Sequence, residues 1–167
     1  VFSAAAEGVL PFMGCFSYSM LSDIPPHSVV APCGFMGAPT VNLEMIEGAD
    51  QLVAAVRQNI EMSSMDAKAP TFIVASEIGG SNGIAPLLVG GLMGLSVVDA
   101  DLMGRAFPEL QMTTSSIYGL PQTPMTLTDS FGRCVTITGT KSLGHLVAAD
   151  EASWTERVLR PVCVEFG

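Results

Sequence analysis

The sequence predicts an α/β fold with a mainly parallel sheet and flanking helices. The clearest strand is residues 71–76 (TFIVAS), a continuous apolar run of the kind that a parallel sheet buries on both faces. A glycine-rich loop follows at 77–83, and then come a buried helix at 84–95 and a short strand at 96–98. Strand, helix and strand in this order form a βαβ unit, so we expect the two strands to be parallel and their crossover right-handed.

The other elements follow along the chain. Residues 28–33 (SVVAPC) predict a short buried strand, because they are apolar and β-branched and lie between turn signals. Residues 49–62 predict an amphipathic helix, because apolar side chains recur at spacings of three and four. Residues 125–127 and 134–138 predict two strands, joined by a turn at 129–132 that has Asp early and Gly late.

A terminal helix is predicted at 153–160 (SWTERVLR). Ser153 is a candidate N-cap, with Glu156 three residues later as the partner in a capping box. Pro161 is expected to stop or kink this helix. The chain shows no repeat, low-complexity tract or linker, so residues 1–167 are expected to form a single domain, although the first 27 residues give no clear pattern.

Composition limits the classes of partner. The chain has 167 residues, of which 7 are basic and 16 acidic, for a net charge of −9. This charge disfavours nucleic acid, whose phosphates need a basic face, and anionic membrane surfaces. Charged residues make up only 14% of the chain, against about 25% in an average domain. Because large bare apolar patches are rare on monomers, part of the surface is expected to be covered by a partner subunit or a further domain.

Cysteines and hydropathy indicate the compartment. The four cysteines form no C-x-x-C pair, so we expect free thiols in a cytoplasmic protein. No uninterrupted apolar run reaches the roughly 18 residues of a transmembrane helix, so no membrane span is predicted. The chain begins with Val rather than Met, from which we expect a processed protein or a piece of a longer one.

A glycine-rich loop with polar side chains follows the clearest strand. Backbone N–H groups just before a helix favour an anion or a carbonyl oxygen, and glycine lets a ligand approach the backbone closely. The pattern is neither G-x-G-x-x-G nor a P-loop. A tight turn in which Asn82 or Ser81 caps the helix is the structural alternative. The candidate substrate-binding residues of this loop are Glu77, Gly79, Gly80, Ser81 and Asn82.

An acidic loop follows the next strand and contains Asp99, Asp101, Arg105 and Glu109. If strand geometry persists, Asp99 and Asp101 point to the same side. Two such carboxylates are suited to hold a divalent metal or to share a proton as a general acid or base. Arg105 is suited to clamp a substrate carboxylate or imide oxygen. In the structural alternative, one aspartate caps a helix and Arg105 pairs with Glu109.

A third loop and the two histidines are further candidates for the site. Residues 35–41 (FMGAPTV), with Glu44 beyond them, also follow a strand, and they are either a third loop of the same site or a plain connection. His27 and His145 share no ligand spacing, so no zinc site is predicted.

Three phrases of the sequence together resemble the S-methyl-thiohydantoin desulfurase-like family. They lie at 35–41, 77–83 and 98–114, and the resemblance covers roughly residues 28–167. It implies the N-terminal domain of a two-domain family, with the α/β part first and a mostly β part after it. Family members are encoded beside, or fused to, hydantoinase/oxoprolinase subunits. The chain departs from the family pattern at 12–18, where a single glycine takes the place of consecutive glycines followed by Asp-Pro.

The resemblance implies a hydrolase that removes the methylthio group from an S-methyl-thiohydantoin ring. From the chemistry of the residues, the candidate catalytic carboxylates for this reaction are Asp99, Asp101 and Glu109. The two aspartates would activate water, directly or through a divalent metal. Arg105 and the 79–83 backbone would hold ring oxygens, while Glu77 would orient the ring. The alternative is a non-catalytic structural or interaction module of a hydantoinase/oxoprolinase-type assembly, whose partners are the further domain or the hydantoinase-type subunits.

Overall fold

The computed structural model shows an α/β architecture in which helices flank a parallel sheet, as predicted. The residues that it describes are 18–37, 48–63, 72–139 and 145–166. Within these ranges, none of the helices combines the length and the apolarity that crossing a membrane requires.

The main sheet consists of β1 (Tyr18–Ser19), β2 (Val30–Cys33), β3 (Phe72–Ala75) and β4 (Ser96–Asp101). Their spatial order is β1-β4-β3-β2, and each neighbouring pair is parallel. Helix α2 (Ala85–Met93) connects β3 to β4, which confirms the predicted βαβ unit. The second strand of that unit runs three residues further than predicted, so the first two acidic residues of the predicted loop belong to β4.

A second βαβ unit precedes the first, because helix α1 (Ala49–Ser63) lies between the parallel strands β2 and β3. Two more helices follow the sheet, α3 (Thr114–Ile117) and α4 (His145–Phe166). Short 3₁₀ helices lie at Leu21–Asp23, Gly80–Gly83 and Leu110–Met112.

The core lies where α1 and α2 pack on the sheet. Ile73 of β3 and Val89 of α2 are completely buried at its centre. Gly90 lets α2 approach β4, since a methyl group there would lie 2.6 Å from Val97 Cγ2 and 2.9 Å from the Leu95 carbonyl oxygen. The buried apolar cluster comprises Cys33, Leu52, Val53, Val56, Ile73, Ala85 and Val89.

An antiparallel hairpin of β5 (Met125–Thr128) and β6 (Cys134–Ile137) packs against α1. Its turn matches the prediction. The Asp129 N–H donates to the Arg133 carbonyl at 3.0 Å, and the Gly132 N–H donates to the Asp129 carbonyl at 3.0 Å. Gly132 has a φ of 80°, a left-handed conformation that glycine adopts without steric cost.

The terminal helix corrects the prediction for 153–160. Helix α4 begins at His145, eight residues earlier, and continues through Pro161 to Phe166. Ser153 therefore lies inside the helix and caps nothing. A proline removes one backbone hydrogen bond, but α4 is packed before and after that position. Before it, Ala152 is 1% exposed and Leu159 0% exposed; after it, Cys163 Sγ donates to the Met36 carbonyl at 3.6 Å. Tertiary contacts therefore outweigh the local breaker.

Candidate functional site

The loops that follow β2, β3 and β4 meet at one edge of the sheet. They meet there because the three strands are parallel and neighbouring, so their carboxyl ends lie on the same side. Open α/β sheets bind ligands at this edge. The segments at this edge are residues 34–37 after β2, 76–83 after β3 and 102–109 after β4.

Asn82 joins the first two loops through its side-chain amide. The Phe35 N–H donates to Asn82 Oδ1 at 2.6 Å, and Asn82 Nδ2 donates to the Phe35 carbonyl at 3.0 Å. The segment after β2 therefore lies beside the glycine-rich loop, in agreement with one of the two alternatives predicted for it. Residues 38–41 and Glu44 of this segment lie outside the described ranges. Asn82 is not a helix cap, because α2 begins after Ile84 and has no side-chain cap.

Glu77 is the buried carboxylate of this edge, with 8% of the residue exposed. Its Oε1 accepts a hydrogen bond from Asn82 Nδ2 at 2.7 Å. Its Oε2 is buried and has no hydrogen-bond partner. The Gly79 backbone packs directly on Oε2, and a methyl group at Gly79 would overlap that oxygen. One oxygen of Glu77 is thus held in place and the other is left with an unused capacity to accept a hydrogen bond.

Asp101 joins the glycine-rich loop to the acidic loop. Its Oδ2 accepts the Ile78 N–H at 3.0 Å and the Gly104 N–H at 2.6 Å. Gly104 has a φ of 80°, so the tight return of the chain toward Asp101 favours glycine. Asp101 does not cap a helix, because its Oδ2 accepts hydrogen bonds from two loop N–H groups. Its role as a metal ligand or as a general acid or base stays a prediction.

Asp99 has a different environment from Asp101. Its side chain is exposed and forms no hydrogen bond or ion pair in the described part of the chain. The pairing of β4 with β3 is irregular at this point, since Ile73 lies opposite Val97 while Ala75 lies opposite Asp101. Regular strand geometry, on which the expectation of a shared side depended, is therefore interrupted between Val97 and Asp101, the segment that contains Asp99.

The remaining candidates lie on the surface of the same edge. Arg105 is exposed and its Nε donates to the Ala106 carbonyl at 3.1 Å. Glu109 is exposed and accepts a hydrogen bond from Gln111 Nε2. The predicted Arg105–Glu109 pair is not among the ion pairs of the described residues. Gly80 and Ser81 are exposed at the tip of the glycine-rich loop.

The far end of the acidic loop is held by α4, through residues that the sequence analysis did not assign to the site. The Leu110 N–H donates to Glu156 Oε2 at 2.9 Å. Arg160 donates from Nε to Glu156 Oε1 and from Nη2 to the Pro108 carbonyl, both at 2.7 Å. A Glu and an Arg four residues apart on a helix form a recognisable pair, but the sequence gives no sign of what else the pair would hold.

The described residues contain no group of three or more His, Cys, Asp or Glu side chains placed to hold a metal ion. Cys33, the last residue of β2, adds no reactive thiol to the edge. Burial raises the pKa of the Cys33 thiol to about 12, so this cysteine stays protonated and inert near neutral pH.

Comparison with known families decides where this fold belongs. The model for the S-Me-THD-like N-terminal domain matches residues 15–139. The chain belongs to this family. The crystal structure of a protein from Chromobacterium violaceum is similar to the S-Me-THD-like chain, with a TM-score of 0.74 and 26% identity, over 88% of this chain and 38% of that one. Comparison with curated proteins gives no significant match.

The S-Me-THD-like match contains every candidate residue of the sheet edge, because residues 77–109 lie inside it, whereas α4 lies beyond it. The chain corresponds to well under half of the Chromobacterium violaceum protein. The edge with its three loops therefore lies within the matched domain, and its support from α4 comes from outside the matched region.

Proposed function

We propose that the three-loop edge binds a small five-membered cyclic imide or amide of the hydantoin type, and that the reaction carried out there is hydrolysis. The observation that carries the proposal is Glu77, a buried carboxylate with one unpartnered oxygen, at the sheet edge where open α/β folds bind ligands. Membership of the S-Me-THD-like family supports the ring class.

The reaction that fits this ligand class is replacement of a methylthio group by oxygen. The oxygen of water bonds to the ring carbon, the carbon–sulfur bond breaks, and the sulfur leaves as methanethiol with one proton from the water. The second proton of the water is transferred to the ring nitrogen, so the product is a hydantoin. The step needs a base near the attacking water and a means of holding the ring.

The residues divide between these two tasks. Asp99 is exposed and without a partner in the described ranges, so its carboxylate is free to take a proton from water. Glu109 and Arg105 are exposed on the same loop and suit a second acid and an oxygen clamp. Gly80 and Ser81 present backbone N–H groups at the tip of the other loop, where they suit a ring oxygen or developing negative charge.

Asp101 has a positioning role in this proposal. Both its recorded hydrogen bonds come from backbone N–H groups of the two loops, so it fixes the loops relative to each other. The metal hypothesis for Asp99 and Asp101 receives no third protein ligand from the described residues, and the proposed reaction is therefore written without a metal.

The test is methanethiol release from S-methyl-thiohydantoin, followed with a thiol reagent and supported by a thermal-shift panel of hydantoin, S-methyl-thiohydantoin and 5-oxoproline with and without Zn²⁺ or Mn²⁺. A ligand that binds the native state raises the melting temperature by mass action. We expect Asp99→Asn to reduce turnover by about 100-fold or more, as loss of a general base does. The matched control is Asp150→Asn, an exposed position on α4, which should leave turnover unchanged.

A second candidate function is an interaction module of a hydantoinase/oxoprolinase-type assembly. A run of exposed apolar side chains favours it, because Ile117 is 75% exposed, Tyr118 81% and Leu120 55%, and such patches are typical of interfaces. Asp101→Asn separates the two candidates, with co-purification of hydantoinase-type subunits as the second readout. Lost turnover with intact assembly supports the enzyme, and lost assembly supports the module.

A further inference from the structure

Glu77 is buried, but its hydrogen bonds satisfy only one of its two carboxylate oxygens. Only 8% of the residue is exposed, yet Oε2 has no partner. Most buried polar atoms in proteins are hydrogen-bonded, and a carboxylate with an unpaired oxygen is costly to bury. Such an atom needs an explanation, and a missing ligand is one.

None of the described residues donates a hydrogen bond to Oε2. The Asn82 amide is fully used, since it holds both backbone groups of Phe35 and also Glu77 Oε1. The residue packed on Oε2 is Gly79, which has no side chain. Gly80 follows with a φ of 53° and lies exposed at the loop tip. Glycine backbone therefore lies beside Oε2, next to the exposed tip of the loop.

We propose that Glu77 Oε2 accepts a hydrogen bond from a ring N–H of the ligand, and that the site therefore selects cyclic imides and amides with a free N–H over their N-alkylated forms. This inference rests on the proposed function and specifies its substrate class. A carboxylate only accepts hydrogen bonds, and an amide or imide N–H beside a carbonyl is a donor. A methyl group on that nitrogen would remove the donor and leave Oε2 without a partner.

The test measures binding of hydantoin, 1-methylhydantoin, 3-methylhydantoin and 1,3-dimethylhydantoin to the 167-residue chain by isothermal titration calorimetry. A hydrogen bond to a charged group contributes enough that its loss weakens binding by about tenfold or more. We expect this loss for the dimethyl ring and for one of the two monomethyl rings, which identifies the nitrogen that faces Glu77.

The variants use matched carboxylate-to-amide changes. Glu77→Gln should weaken hydantoin binding by about tenfold or more and should abolish the discrimination between hydantoin and its dimethyl form. Glu165→Gln is the control, since Glu165 is exposed on α4, and it should behave like the unmodified chain. If Glu77→Gln does not fold, the methylated series on the unmodified chain decides the question alone.

Three results overturn the inference, and they differ in what they say about the proposed function. If all four rings bind equally, Glu77 does not face a ring nitrogen, while the ring site itself stands. If no ring binds a chain that melts cooperatively, the proposed function fails and the inference with it. If Zn²⁺ or Mn²⁺ alone raises the melting temperature and Glu77→Gln abolishes that rise, Oε2 is a metal ligand instead.

Discussion

The hairpin turn and the sheet edge each bury a carboxylate, and they satisfy it differently. In the turn, Asp129 is 0% exposed and accepts three hydrogen bonds: from the Phe131 N–H at 3.0 Å, from the Arg133 N–H at 2.7 Å, and from the Arg133 guanidinium. At the sheet edge, Glu77 accepts one hydrogen bond and leaves Oε2 unpartnered. The carboxylate of Asp129, with hydrogen bonds to both oxygens, fixes the shape of a turn. The carboxylate of Glu77, with one unpartnered oxygen, lies where a ligand is expected.

Glu156 is a second buried carboxylate in which both oxygens have hydrogen-bond partners. It is also buried, and each of its oxygens accepts a hydrogen bond, one from the Leu110 N–H and one from Arg160. Among the buried carboxylates of the described residues, Glu77 is the one with an unpartnered oxygen. Burial alone therefore does not distinguish these carboxylates; the number of hydrogen-bond partners does.

The largest effect on stability is expected for Asp129→Asn. The amide can keep one acceptor oxygen but loses the second, so the Arg133 guanidinium loses its partner and the turn loses charge-assisted hydrogen bonds. We expect the midpoint of urea denaturation, followed by circular dichroism, to fall further than for any other substitution discussed here. A midpoint within error of the unmodified chain would show that the saturated carboxylate contributes nothing to the turn.

The next effect is expected for Asn82→Ala, which removes three hydrogen bonds at once and leaves both backbone groups of Phe35 unpaired. At about 1 kcal/mol net for each bond, we expect the free energy of unfolding to fall by about 2–4 kcal/mol. Ser81→Ala is the matched control, because Ser81 is exposed on the same loop and should change it by less than about 0.5 kcal/mol. Equal effects of the two variants would contradict the role of Asn82 as the link between the loops.

Lowering the pH is expected to have a smaller effect on the free energy of unfolding. Burial raises the pKa of Asp129, but hydrogen bonds from the backbone and side chain of Arg133 outweigh it and hold the pKa below its usual value. The folded state therefore favours the ionised form. This contribution to stability is complete above the unfolded pKa of about 3.9 and is lost as the pH falls through the lower folded value.

The measurement is urea denaturation between about pH 7 and pH 2, on the unmodified chain and on Asp129→Asn. The stability difference between the two proteins should stay constant down to about pH 4 and shrink below it, because the variant lacks the titrating group. A difference that is constant through the whole acid range would mean that the Asp129 pKa is not lowered.

The sequence predicted the scaffold better than the contacts. The βαβ unit and the turn at 129–132 follow from hydrophobic runs and turn residues, which act locally, and both were confirmed. The lengths of β4 and α4 were not predicted, since burial of residues such as Leu159 overrides a local breaker like Pro161. The links made by Asn82 and Asp101 join residues 47 and 23 positions apart, and no spacing rule in one sequence reveals such pairs.

The smallest stability effect among the buried carboxylates, and the sharpest test of the comparison, is expected for Glu77→Gln. The amide oxygen can still accept the Asn82 hydrogen bond, and the change removes a buried charge whose second oxygen has no partner. We therefore expect the free energy of unfolding to stay within about 1 kcal/mol of the unmodified chain or to rise, whereas the same chemical change at Asp129 lowers it. Functional sites commonly retain residues that do not favour stability. If urea denaturation shows Glu77→Gln to be as destabilising as Asp129→Asn, Glu77 is a structural carboxylate like Asp129, and the contrast between the two regions disappears.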